Sequence, residues 1–221
     1  MLLGFPARPL PGTLDALSPP RHTETPLPMR DGVSPSCVVL PAHHAAPLLD
    51  RLAAHLPVVG RDEWLARMLA GDVVDAQGLP VHPEQVVKGS VRLFYYRHLP
   101  GEPELPFEHE VLYQDEHLLV ADKPHFMPVT PTGRYVQQSL LVRLKRQLGL
   151  PDLSPLHRID RDTAGLVLFS VQPRTRGAYQ ALFRERSMAK AYDAVAPWNA
   201  TLTFPREHRS RMAGRSQASR P

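Results

Sequence analysis

The sequence predicts an α+β protein built on a mixed, mainly antiparallel sheet with flanking helices. Three observations predict it. Val111-Leu112-Tyr113 and Leu118-Leu119-Val120-Ala121 are strand-like runs joined by the polar turn Gln114-Asp115-Glu116-His117, the pattern of a hairpin. Leu140, Leu141, Leu144 and Leu148 make one apolar stripe of a helix over residues 138–148, with Arg143, Lys145 and Arg146 on the other side and Gly149 and Pro151 ending it. Leu166 to Val171 is an uninterrupted apolar run flanked by charge, as a central strand requires.

In chain order, residues 1–36 carry eight prolines, at 6, 9, 11, 19, 20, 26, 28 and 35, and no apolar periodicity, which predicts an extended, poorly ordered arm. Residues 37–99 then form a small module. Leu48, Leu49, Leu52 and Leu56 keep helical spacing, and a second helix starts at a capping Asp62 and stops at Gly71. Val73-Val74, a turn at Gln77-Gly78, Val81 and the Val91–Tyr96 run follow as short strands. Pro100, Pro103 and Pro106 make residues 100–106 a stiff polar connector and a domain boundary, after which residues 107–204 form the next domain. Its hairpin closes on Asp122-Lys123-Pro124. Behind the apolar run, residues 173–186 predict a helix with Ala178, Leu182 and Phe183 inward, and Lys190-Ala191-Tyr192-Asp193-Ala194-Val195 alternates like a strand. Residues 205–221 are Arg-rich, without periodicity, and are expected to be a disordered tail.

Composition narrows the function classes. At 221 residues, 43% hydrophobic, the chain can bury a core, and no run of eighteen apolar residues offers a membrane span. The start, Met1-Leu2-Leu3-Gly4-Phe5-Pro6, lacks the basic region and long apolar centre of a signal peptide, so the cytoplasm is the default expectation. A single cysteine, Cys37, excludes an internal disulfide and a cysteine-based zinc site and reads as a small packing residue. The eleven histidines include one adjacent pair, His43-His44, without metal-ligand spacing, so no metal is expected. A net charge of +4 permits an acidic partner. The cations gather in the second half: Arg143, Lys145, Arg146, Arg158, Arg161, Arg174, Arg176, Arg184, Arg186 and Lys190 read either as a phosphate track or as the solvated faces of ordinary helices.

The densest stretch is 156–166, where His157, Arg158, Asp160, Arg161 and Asp162 place five ionisable side chains in six positions ahead of a core strand. Such a loop is either an active-site rim or a solvated turn between strands. His157-Arg158-Ile159-Asp160 followed by Thr163-Ala164-Gly165 resembles the H-R-L-D-x-x-T-S-G signature of the RluA class of pseudouridine synthases, with Ile for Leu and Ala for Ser. The strand-turn-strand closing on Lys123-Pro124 is similar to that family's second marker, with His125 where small residues are common, and Lys190-Ala191-Tyr192 stands where the family has K-x-Y.

The resemblance implies a pseudouridine-synthase-type catalytic domain, a uridine in structured ribosomal or transfer RNA as substrate, and no cofactor. It implies Asp160 as the reactive carboxylate, Arg158 holding the flipped state and Tyr192 in the active site, with His157, Thr163, Lys123 and Lys190 as substrate-binding neighbours. On the residues alone, Tyr192 is an ordinary strand aromatic and Lys123 a solvated strand-end lysine. The 37–99 module resembles the S-four-like RNA-binding fold, in which Arg61 and Arg67 face the groove; a plain helix-and-strand cap accounts for it equally. The family's catalytic domain continues beyond K-x-Y into a segment this sequence does not match, so the chain reads as C-terminally truncated. The alternative is then an RNA-binding fragment without catalysis, and a third reading is a poorly folded remnant with exposed apolar surface.

Overall fold

A computed structural model describes residues 25–42, 46–97, 101–203 and 207. Residues 1–24 of the proline-rich arm, the His43-His44 pair and nearly all of the 205–221 tail lie outside the described residues. The chain divides into two compact units, Met1–Met188 and Ala189–Pro221.

The first unit opens with a three-stranded antiparallel sheet. Its elements are β1 (Ser36–Leu40), α1 (Leu48–His55), α2 (Arg61–Leu69), β2 (Val73–Val74) and β3 (Val91–Tyr95), with strand order β1-β3-β2. The two helices bury Leu48, Leu49, Leu52, Trp64 and Met68 against Leu40, Val73 and Leu93. Each fully buried side chain of this kind contributes roughly 1.5–3 kcal/mol relative to exposure. Trp64 fixes the corner by donating to the Leu56 carbonyl at 3.3 Å and meeting Tyr95 edge-on at 5.0 Å. Buried Arg51 donates to the carbonyls of Pro41 and Val87, at 2.6 and 2.7 Å, so loops at both ends of the module hang on one guanidinium.

Three details differ from expectation. The sequence gives no sign of β1, whose pairing is with β3, far along the chain. Asp62 is not a cap: α2 begins at Arg61 after Gly60, and Asp62 sits in the first turn, where a carboxylate complements the helix dipole. Cys37 is exposed rather than packed, because Val38 and Leu40 take the inward positions of β1.

The second sheet follows within the same unit. It contains β4 (Glu110–Gln114), β5 (Leu118–Lys123), β6 (Ser154–Pro155) and β7 (Gly165–Ser170), all antiparallel, in the order β4-β5-β7-β6. α3 (Leu140–Leu148) packs on it, closing a core of Leu119, Ala121, Met127, Leu140, Leu144, Leu153, Val167 and Phe169. The β4–β5 turn forms where the sequence places it, because Asp115 Oδ1 accepts from the amides of His117 and Leu118 at 2.7 Å each. β7 is central as expected but buries one face only, and Leu166 stays 56% exposed on the other. α4 (Pro173–Arg184) follows it, with Pro at its start.

Arg143 and Lys145 are not part of a solvent-facing phosphate track. Arg143 donates at 2.7 Å to the carbonyls of both Phe107 and Leu105, pinning the connector to α3. Lys145 is buried and donates to Ser34 Oγ at 3.0 Å, under the end of the arm. There Val33 packs on Val136 and Val142, and Gly32, at φ 77°, approaches so closely that a Cβ would stand 2.7 Å from the Val142 carbonyl oxygen.

The connector is held most firmly at Glu102. Its carboxylate accepts from the backbone amides of Val136, Gln137 and Gln138 at 2.7, 2.9 and 2.7 Å, just before α3 begins. An anion suits that position because the amides ahead of a helix have no partners of their own. Glu102→Gln, which puts a donor where an acceptor is needed, is expected to cost about 1–3 kcal/mol in urea denaturation.

In the second unit the described residues have no helix or strand. The strand expected at Lys190–Val195 is absent and its side chains are exposed. Alternation specifies a face but supplies no partner, and a strand without a partner leaves its backbone groups to water.

Candidate functional site

The loop between β6 and β7 carries the charged stretch. Strand pairing sets its ends: Leu156 N donates to the Leu168 carbonyl at 2.8 Å, and Gly165, at φ 119°, pairs with Lys123. Between them a turn closes as Thr163 N donates to the Asp160 carbonyl at 3.2 Å.

His157 looks inward. Its Nε2 accepts from the amide of Leu168 at 3.1 Å, which places the proton of the neutral ring on Nδ1, and its ring stacks on Phe183 of α4 at 4.9 Å. It therefore clamps the loop to β7 and α4. Arg161 and Asp162 pair with each other, Nε to Oδ1 at 2.9 Å, on the exposed side. Asp160 differs from His157, Arg161 and Asp162 and shares this with Arg158: among the described residues its carboxylate has no hydrogen-bond or ion-pair partner. It is exposed, as is Arg158 two positions earlier. Together they line an open depression of about 440 Å³ whose opposite wall is the 128–132 segment, including Thr130 and Thr132. No signal in the sequence marks that wall.

Lys123 lies beneath. It is fully buried, not solvated, and Nζ donates to the carbonyls of Pro124, Met127 and Arg161 at 2.8, 2.7 and 3.1 Å. Burial pushes its pKa down to about 8, against the opposing pull of the Asp162 carboxylate. One ammonium thus joins the end of β5, the turn after it and the charged loop. A second tie runs from His125 Nδ1, which donates to the Asp162 carbonyl at 2.7 Å. The wall is anchored from the first sheet, since Arg97 donates to the Pro131 and Gly133 carbonyls at 3.2 Å each.

The structure thus brings together Asp160, Arg158, His157, Thr163 and Lys123. Tyr192 and Lys190 belong to the second unit, where Tyr192 is 64% exposed. Of the cations expected to face RNA in the small module, Arg61 pairs with Asp50 at 2.9 Å, and Arg67 pairs with Glu63 at 2.7 Å while lying over the Trp64 ring. Among the described residues, no three His, Cys, Asp or Glu side chains converge as metal ligands, and no helix is long and apolar enough to cross a membrane.

Comparison with known proteins meets the same loop. The RNA pseudouridylate synthase family model matches residues 117–217. An uncharacterized RNA pseudouridine synthase of Synechocystis sp. is 35% identical over 135 residues, covering 61% of this chain and 46% of that protein. Ribosomal large subunit pseudouridine synthase D of Pseudomonas aeruginosa is 27% identical over 154 residues, covering 66% of this chain and 48% of that protein. The tRNA pseudouridine(31) synthase of Saccharomyces cerevisiae is 37% identical over 82 residues, 37% of this chain and 20% of that protein. The chain spans half or less of the length of these curated relatives. Residues 117–217, which carry the loop presenting Asp160, are thus the part of the chain that is similar to RNA pseudouridylate synthases.

Proposed function

We propose that this protein is an RNA pseudouridine synthase that isomerises uridine to pseudouridine in ribosomal or transfer RNA. The observation that carries the reading is the Asp160 carboxylate, which stands at an open depression without a partner among the described residues, while His157 bonds to β7 and Arg161 and Asp162 pair with each other. The reaction breaks the bond from uracil N1 to ribose C1′, turns the base and joins C5 to C1′. C5 gives up its proton and N1 takes one, so nothing is oxidised, reduced or added, and no cofactor is needed. A carboxylate suffices, whether it attacks the sugar or the base or draws off a sugar proton.

A stacked uridine must leave its helix to reach such a site, at a cost of roughly a few kcal/mol. Exposed Arg158, whose planar guanidinium can contact a phosphate or fill the vacated stack, is the residue we assign to the flipped state. Tyr192 is assigned to stack on the extruded uracil and to assist at C5. Thr163, His157 and Lys190 complete the substrate-binding set, and Lys123 joins it through the loop that it holds.

In this reading the 37–99 module is an S-four-like RNA-binding element, supported by two helices packed on a small sheet. Residues 107–204 are the N-terminal part of the catalytic domain, 1–36 an arm and 205–221 a tail, and the protein works in the cytoplasm. The test is tritium release from ribosomal and transfer RNA transcripts labelled at uracil C5. Release by this chain is the expected result. RNA binding by folded protein without release would overturn the enzyme reading and leave an RNA-binding fragment.

A further inference from the structure

The turn joining β5 to the wall of the depression contains a residue in an unusual state. Phe126 has φ 66°, in the left-handed region that a bulky side chain rarely adopts. Among the described residues only Asp31 and Arg186 share that property without being glycine, and an Asp tolerates it far better than a Phe does. The turn gains no deep burial from this choice. Phe126 is 48% exposed, while its successor Met127 is fully buried in the core. Glycine would hold the same backbone without strain and without presenting a ring to solvent.

The ring is nonetheless held in place. Phe107, on the connector pinned by Arg143, lies 5.8 Å from it at a 45° tilt, and His125 lies 5.8 Å away on the other neighbour position. The turn itself is fastened to the charged loop by Lys123 and by His125, through the Arg161 and Asp162 carbonyls. An exposed aromatic therefore sits on a turn fastened to the loop that presents Asp160, and that loop carries the exposed cations Arg158 and Arg161. Aromatic faces with flanking arginines are the combination that holds unpaired nucleotides, the ring stacking on a base and the cations meeting the phosphates.

We propose that Phe126, backed by Phe107, is a stacking platform for an unpaired base of the RNA neighbouring the uridine that enters the Asp160 depression. This rests on the RNA reading above and adds a contact that is independent of sequence, because every base offers a face to stack. The backbone strain is retained because it aims the ring outward at a rigid point.

The test uses a single-stranded heptanucleotide of uridines with 2-aminopurine at its centre, and the same RNA with an abasic site there, at one fixed ionic strength. The full chain is expected to quench the 2-aminopurine fluorescence and to bind the abasic probe about tenfold more weakly. Phe126→Asn, whose side chain tolerates the left-handed backbone, is expected to lose the quenching and to bind both probes alike. Phe126→Trp should keep both effects. Equal quenching by the wild type and Phe126→Asn, equal affinity of the wild type for the two probes, or no binding at all would overturn the proposal. Asp160→Asn should quench as the wild type does. Quenching without tritium release would therefore sink the enzyme reading and leave the platform standing.

Discussion

Replacing Asp160 by Asn is expected to abolish tritium release from C5-labelled RNA while leaving RNA affinity within about twofold. The change keeps the size of the side chain and removes its charge. Because the Asp160 carboxylate has no partner among the described residues, the amide displaces no hydrogen bond and strands no buried group, so the fold has no reason to respond. Loss of a reacting carboxylate, by contrast, removes the step itself. Asp162→Asn is the necessary comparison. It breaks the pair with Arg161 on the exposed side, a contact worth little in solvent, and should retain most activity. Equal loss in the two variants would sink the assignment of the chemistry to Asp160.

Lys123→Met carries the largest expected cost in stability. Methionine fills a similar volume, but the three carbonyls of Pro124, Met127 and Arg161 lose their shared donor within the protein, a loss on the order of 3 kcal/mol in urea denaturation. The pH dependence has a definite sign. Burial holds the folded-state pKa near 8, below the ordinary 10.5, so between these values the unfolded chain binds the proton that the folded chain has released. Stability from this group is fully present above 10.5 and is lost as pH falls through 8. The gap in stability between the wild type and Lys123→Met should therefore widen as pH rises from 8 to 10.5, and a constant gap would mean that Lys123 does not titrate there. Activity should fall with the loop, since the carbonyl of Arg161, next to Asp160, is one of the three anchors.

What the sequence reveals follows from how far its signals reach. The hairpin at Asp115, the helix α3 and the strand β7 are legible because each is written in neighbouring residues: a turn carboxylate, a stripe of leucines, an apolar run. β1 is not, since its order comes from β3. The alternation at Lys190–Val195 names a face, but among the described residues of its unit there is no strand to pair with, and the segment is irregular and exposed.

The same distinction divides the site. His157, Arg158 and Asp160 mark a candidate loop through crowded charge and a matching motif. The wall at 128–132, the clasp at Glu102 and the cross-tie at Arg97 work through backbone carbonyls and amides, which every residue type possesses, so composition says nothing about them. For that reason Arg143 and Lys145 look like free cations in the sequence and prove to be fasteners in the structure.

Arg97 has a further consequence. It stands just past β3, and its guanidinium holds the two carbonyls that flank Thr132, a residue of the depression's wall. The two sheets are thereby tied by one side chain. Were a ligand of the first to favour one position of the 131–133 segment and so change affinity at Asp160 by some factor, a ligand held against Asp160 would have to change the first sheet's affinity by that same factor.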